Sequence, residues 1–166
     1  MSISTDAGIH ALAQRVAERL LSTGRSLVVA ESCTGGWVAK ACTDLPGSSR
    51  WFLGGVVTYS DDLKVDLLGV SADTLRQKGA VSQAVVREMA VGALERRDGD
   101  ISVAVSGIAG PDGGVPGKPV GTVWFAWAVR HADQLEVRTA LERFDGDREA
   151  IRRQAVASAL GGVLEA

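Results

Sequence analysis

Histidine occurs only at His10 and His131, cysteine only at Cys33 and Cys42, and tyrosine only at Tyr59. Periodicity places His10 in a first helix and His131 in a hairpin turn, so neither is set to take a proton from a serine, and a Ser-His-Asp triad is not expected. The two cysteines have the spacing of neither a zinc site nor a disulfide framework. With no signal peptide ahead of them, they read as reduced thiols of a cytoplasmic protein. Apolar runs are broken by glycine or charge well short of the ~18 residues of a membrane span. Basic tracts are missing too, since 18 Lys and Arg are interspersed with 20 Asp and Glu for a net charge of −2. That balance argues against nucleic-acid binding through clustered phosphate contacts, but leaves room for a small anion held by one or two cations. No P-loop pattern is present, and no Gly-x-Gly-x-x-Gly follows the first strand.

What is present is an ordinary globular composition, 46% hydrophobic and 23% charged over 166 residues. This supports one core and is too short for two, so a single domain over 1–166 is expected. Ile9, Leu12, Ala13, Val16 and Leu20 recur at helical spacing within residues 7–23, and Gly24 is placed to close that helix. The run from Ser26 to Ala30 is short, apolar and β-branched, the pattern of a central strand covered on both faces. A helix over 37–42, a strand within 51–59 and two short helices from Asp61 and Ala72 follow. Ser82 then caps a longer helix ending near Arg97. A buried strand over 101–106 leads into the glycine- and proline-rich stretch 107–119. Two strands, 122–130 and 135–141, turn at His131-Ala-Asp-Gln134, and a helix over 147–160 closes the chain. Strands alternating with helices, with a hairpin late, imply an α/β sandwich with a mixed sheet.

Ser32 lies where the first strand gives way to Gly35 and Gly36, so its hydroxyl can face a crevice at the carboxyl edge of the sheet. Unpaired N–H groups of a turn and helix start there stabilise anions, including the oxyanion of acyl transfer. The same pattern fits a plain helix cap at Ser32 or Thr34. A serine nucleophile needs a base, and Lys64, five residues after Tyr59, can serve if burial lowers its pKa. Tyr59 could relay the proton between Lys64 and Ser32. Equally open from the pattern are a core tyrosine and a solvated lysine. Ser106 ends the third strand and reaches the same edge as Ser32 if the two strands are parallel neighbours; otherwise it is a turn hydroxyl. The loop 107–119, with Gly107, Gly110, Asp112 and Lys118, offers N–H groups and charges to a ribose or phosphate. Arg148, at the start of the last helix, is placed to attract a phosphate or to form a surface ion pair with Asp145 or Asp147. Cys33 reads as a buried small hydrophobe without a histidine partner.

The elements Ala30-Glu-Ser-Cys-Thr-Gly-Gly36, Tyr59 with Lys64, Ser106-Gly-Ile-Ala-Gly-Pro111, Pro119-Val-Gly-Thr-Val123 and Phe144-Asp-Gly-Asp-Arg148, taken together, resemble the C-terminal domain of the CinA family, in order and over nearly the whole chain. The resemblance implies a three-layer α/β/α sandwich with a mixed, mostly parallel five-stranded sheet. It also implies nicotinamide-nucleotide amidase activity serving NAD synthesis, by a Ser-Tyr-Lys style of catalysis. Ser32 is then the nucleophile, Lys64 the base and Tyr59 its hydroxyl partner, with no metal or cofactor. Thr34, Gly35, Gly36, Ser106, Gly107, Gly110 and Arg148 are expected to bind the pyridine nucleotide. The family usually has threonine where this chain has Ser106, which keeps the hydroxyl and drops a methyl. Full-length relatives carry a further N-terminal domain, for which 166 residues leave no room. A homo-oligomer is expected, since small α/β enzymes often form one. The competing readings are a nucleotide-binding module that has lost the reaction and a short-chain reductase. The reductase is disfavoured by a Tyr-to-Lys spacing one residue too long.

Overall fold

The computed structural model describes residues 4–166. Helix α1 (Asp6–Thr23) buries Ile9, Leu12, Ala13, Val16 and Leu20; its start is capped by the Thr5 hydroxyl, and Gly24 ends it at φ 66°. Strand β1 (Leu27–Glu31) is buried at all five positions, which accounts for its unbroken apolar run. Helix α2 (Trp37–Thr43) and the edge strand β2 (Phe52–Val57) follow. Helices α3 (Asp61–Leu68), α4 (Ala72–Lys78) and α5 (Gln83–Arg97) each begin on a serine whose hydroxyl accepts a backbone N–H, Ser60, Ser71 and Ser82. Strands β3 (Ile101–Gly107), β4 (Thr122–Arg130) and β5 (Leu135–Arg143) and helix α6 (Arg148–Val163) complete the chain.

The sheet order is β2-β1-β3-β4-β5. The pairs β1–β2 and β1–β3 are parallel, and β3–β4 and β4–β5 are antiparallel, so only β4 runs against the other four. This is the three-layer α/β/α sandwich with a mixed, mostly parallel sheet. Alternate side chains divide between two cores. Leu27, Val29, Ile101, Val103, Val105 and Phe125 pack with α1, α2 and α6. Val28, Ala30, Ala104, Ala126 and Ala128 pack with α5 and the ends of α3 and α4. On that second face the strands present small residues, and α5 lies close to the sheet, its Ala90 carbonyl accepting a 2.7 Å hydrogen bond from Ser102 Oγ. Among the described residues no helix is long and apolar enough to cross a membrane.

The parallel strands end together. Glu31 pairs with Val57 on one side and Val105 on the other. The ladder continues one residue further, with Ser32 N–H donating to Val105 O at 3.0 Å and Thr58 N–H donating to Glu31 O at 2.8 Å. Strand alternation therefore sets Thr58, Ser32 and Ser106 side by side on the face covered by α3 and α5. Helix α3 reaches this row because α5 has a glycine where the two helices touch: a Cβ on Gly92 would overlap the Leu68 carbonyl group. Gly92→Ala should lower stability by roughly 1–3 kcal/mol, as overpacking does, read as a lower urea midpoint at unchanged m-value. An unaltered midpoint would contradict this seating of α3.

Candidate active site

The turn after β1 is organised by a carboxylate. Glu31 is 1% exposed, and its side chain accepts hydrogen bonds from the N–H groups of Gly36 (3.1 Å), Val38 (3.1 Å) and Ala39 (2.8 Å). An unpaired carboxylate buried this deeply would cost several kcal/mol, whereas three N–H donors at the positive end of a helix compensate it. Gly36, the residue at the helix cap position, has φ 93° and no side chain to offer, so Glu31 does the capping from the strand. Neither Ser32 nor Thr34 caps α2, which leaves the Ser32 hydroxyl available for other work.

A second clamp comes from α6. Arg152 donates from Nε to Cys33 O at 3.0 Å and from Nη2 to Thr34 O at 2.9 Å. Gly35, at φ 60°, makes room for it, since a Cβ there would stand 3.3 Å from Nη2. Within the turn, Gly35 N–H donates to Ser32 O at 3.0 Å and Trp37 N–H to Thr34 O at 3.2 Å. The N–H groups of Cys33 and Thr34 donate to no other described residue.

Lys64 is as deeply buried as Glu31, at 1% exposed. Its Nζ lies 2.9 Å from Thr58 O, 3.2 Å from Tyr59 O and 3.4 Å from Ser32 Oγ, with Asp61 Oδ1 at 3.8 Å. Burial pulls its pKa below the ordinary 10.5, against a weaker opposing pull from Asp61. A neutral amine has two N–H donors and one lone pair. With two of its positions directed at the Thr58 and Tyr59 carbonyls, the third faces Ser32 Oγ, where a deprotonated amine would present its lone pair to the hydroxyl. The lysine is thus a buried neighbour of Ser32 and not a solvated charge. Cys33, beside it, is a poor rival: burial pushes its thiol up to about 12, so it stays protonated at neutral pH.

Tyr59 takes a different place from the expected one. Its backbone carbonyl, not its hydroxyl, meets Lys64, while its side chain is 59% exposed and the hydroxyl accepts a 3.2 Å bond from Arg148 Nη2. Strand alternation turns residue 59 away from the Thr58 and Ser32 face, and Lys64 approaches Ser32 directly. In this structure, then, Tyr59 meets Lys64 through its carbonyl and Arg148 through its hydroxyl. Ser106 is next to Ser32 in register, but its hydroxyl donates to Ala80 O at 2.9 Å. Gly107 serves packing, since a Cβ would stand 2.6 Å from Val123 Cγ2. Gly110, at φ 76°, offers its carbonyl to Arg148 Nη1 at 2.7 Å, so Arg148 ties the glycine-rich loop to Tyr59. Lys118 is engaged elsewhere, donating to Lys78 O at 2.9 Å.

Three residues escaped the sequence reading. Glu31 carried a signal, being a carboxylate that ends a wholly apolar strand just before Gly35 and Gly36. Thr58, fully buried with an unpartnered hydroxyl, could have been found from the β1–β2 register had the register been known. Arg152 gave no local signal, since it acts on residues 118 and 119 positions away. Among the described residues no group of three or more His, Cys, Asp or Glu side chains is placed to hold a metal.

Fold and site together define a class, a three-layer α/β/α protein with a buried serine–lysine pair at the carboxyl edge of its parallel strands. The chain belongs to the CinA C-terminal domain family, which matches residues 9–166. It is 53% identical over 156 residues to the nicotinamide-nucleotide amidohydrolase PncC of Escherichia coli (strain K12), covering 94% of this chain and 93% of that protein. To the protein of the same name from Pseudomonas putida it is 51% identical over 157 residues, covering 95% and 96%. The crystal structure of a competence-damaged protein (CinA) superfamily protein from Escherichia coli superposes with a TM-score of 0.91 at 39% identity, covering 99% of this chain and 92% of that one.

Glu31→Gln keeps the shape and replaces one acceptor oxygen by an N–H2 group that faces donors. It should reduce stability by about 1–3 kcal/mol, the cost of leaving buried donors unpaired, as measured by chemical denaturation. A variant as stable as the parent would show that the carboxylate is not what holds the turn.

Proposed function

We propose that this chain hydrolyses the carboxamide of nicotinamide mononucleotide to nicotinate mononucleotide and ammonia, with Ser32 as nucleophile and Lys64 as base. The approach of Lys64 Nζ to Ser32 Oγ at 3.4 Å, in a site that lowers the lysine pKa, is the observation that carries the chemistry. The substrate follows from the names of the amidohydrolases to which the chain is similar.

Lys64 takes the Ser32 proton as Oγ attacks the carboxamide carbon, a contribution of about 10²–10⁴ in rate for a well-placed base. The negative charge that develops on the carboxamide oxygen is met by the N–H groups of Cys33 and Thr34, which donate to no other described residue. The protonated lysine returns its proton to the departing nitrogen, which leaves as ammonia, and an ester on Ser32 remains. Water, deprotonated by the same amine, attacks that ester, releases the carboxylate and restores the Ser32 hydroxyl. No metal or organic cofactor enters these steps. Of the residues expected to hold the nucleotide, Gly35 and Gly36 are accessible beside Ser32, whereas Thr34, Ser106 and Gly110 are buried and would act through the shape of the turn and the loop. Arg148, at the first turn of α6, has N–H groups left for the phosphate, and the exposed Tyr59 ring offers a face to the cationic pyridinium. This reading sets a homo-oligomeric enzyme in the cytoplasm, acting on a free pyridine nucleotide and on neither nucleic acid nor membrane.

Ser32→Ala should abolish ammonia release from nicotinamide mononucleotide while the far-UV spectrum and ligand binding persist. Retained turnover would eliminate the mechanism, and binding without turnover in the parent protein would mark a silent nucleotide-binding module. The pH dependence has a definite sign. Activity should rise with pH as Lys64 loses its proton, with a midpoint below 10.5. Because the folded protein releases that proton more readily than the unfolded chain, stability should also climb between the lowered pKa and 10.5. Lys64→Met should remove that climb and cut kcat by about 10²–10⁴. Urea titrations across the alkaline range that show the same slope in both proteins would refute the assignment.

A further inference from the structure

We propose that Arg152 is a positioning residue for the reaction, holding the peptide groups after Ser32 so that the N–H groups of Cys33 and Thr34 are aimed at the developing oxyanion. The inference rests on the proposed acyl-transfer role of Ser32, and it deepens that role by assigning what keeps the anion site in shape.

In a trans peptide the C=O and N–H bonds point in opposite directions, so fixing one end of the unit aims the other. Arg152 Nε grips the carbonyl of Cys33, and the N–H across that peptide, on Thr34, must then point away from α6. The preceding peptide is fixed in the same way, its Ser32 carbonyl accepting from Gly35 N–H, and its N–H, on Cys33, donates to no other described residue. Helix α6 covers the face of the sheet that holds Val29 and Val105, whereas Ser32 Oγ lies on the other face with Lys64. A direction away from α6 is a direction toward the reacting oxygen. A guanidinium on a carbonyl also polarises the amide and strengthens its N–H as a donor.

Among the described residues no carboxylate claims this arginine's charge, whereas its neighbour Arg153 pairs with Asp6 and Glu149. Its second arm, Nη2, holds the Thr34 carbonyl, and the group lies 5.4 Å from the centre of the Trp37 ring. Two adjacent carbonyls held by one rigid fork is a task that lysine, a point charge on a flexible stem, does not reproduce.

The test compares the parent with Arg152→Met, which keeps the aliphatic stem, and Arg152→Lys, which keeps the charge. Three quantities are measured: kcat and KM for nicotinamide mononucleotide, affinity for nicotinate mononucleotide, and the rate at which a fluorophosphonate modifies Ser32. The phosphonyl oxygen of that reagent occupies the oxyanion position whatever the true substrate is. Arg152→Met should lower kcat about 10²-fold, the usual loss for a weakened oxyanion donor, and slow phosphonylation by a similar factor. KM and product affinity should stay within about threefold of the parent, because these donors act mainly on the transition state, and Arg152→Lys should recover only a small part of the rate. Parent-like kcat and phosphonylation would overturn the proposal. So would a kcat loss matched by equal losses of product affinity and thermal stability, which would mean that the residue merely supports the fold. A parent protein inert to the probe would overturn it as well. If the parent reacts with the probe yet releases no ammonia from nicotinamide mononucleotide, the substrate reading falls and the phosphonylation rates alone decide the role of Arg152.

Discussion

A carboxylate folded into the protein and surrounded by backbone N–H groups sets the geometry on which the site depends. Glu31 belongs to β1, yet its oxygens bind the first turn of α2, so the strand, the turn and the helix cannot move independently. The carboxylate is tolerated in the interior because the helix start supplies several donors that would themselves be unpaired without it. One interaction solves two desolvation problems and, as a by-product, frees the hydroxyl of the next residue from capping duty.

The lysine opposite obeys a related logic with donor and acceptor exchanged. A long side chain ending in an amine enters a closed site only where carbonyls receive it, and Thr58 and Tyr59 present theirs because β2 has just ended and α3 has not yet begun. Helix α3 can be drawn so near only because α5 is notched at Gly92. Packing far from the chemistry thus decides how close amine and hydroxyl stand, and small residues on that face of the sheet matter as much as the reactive groups do.

The architecture was legible from the chain because hydrophobic periodicity reports which face of each element is apolar, and here the strands and helices follow it closely. The unbroken run in β1, the serine caps of α3, α4 and α5 and the glycine that ends α1 all carry local signals. Ser32 could be placed at the strand end for the same reason. The burial of Lys64 could not be read, since a charged residue on a short helix looks solvated until the carbonyls that receive it are known. Tyr59 illustrates the limit on direction: its position beside the site was evident, but only the register settles which side of the chain its ring takes. Arg152 was invisible because its partners are distant in sequence and are backbone atoms, which carry no residue-type signature.

The link between α6 and the turn after β1 has a temporal side. The atoms of Cys33 and Thr34 leave the ribosome before the guanidinium that holds their carbonyls, which follows 119 and 118 residues later. Until the last helix has emerged and docked, the growing polypeptide contains its serine, its lysine and its glycine turn, but not the strut between them. Maturation of the site therefore waits on α6, and a nascent fragment without this helix would be poorly prepared for premature chemistry.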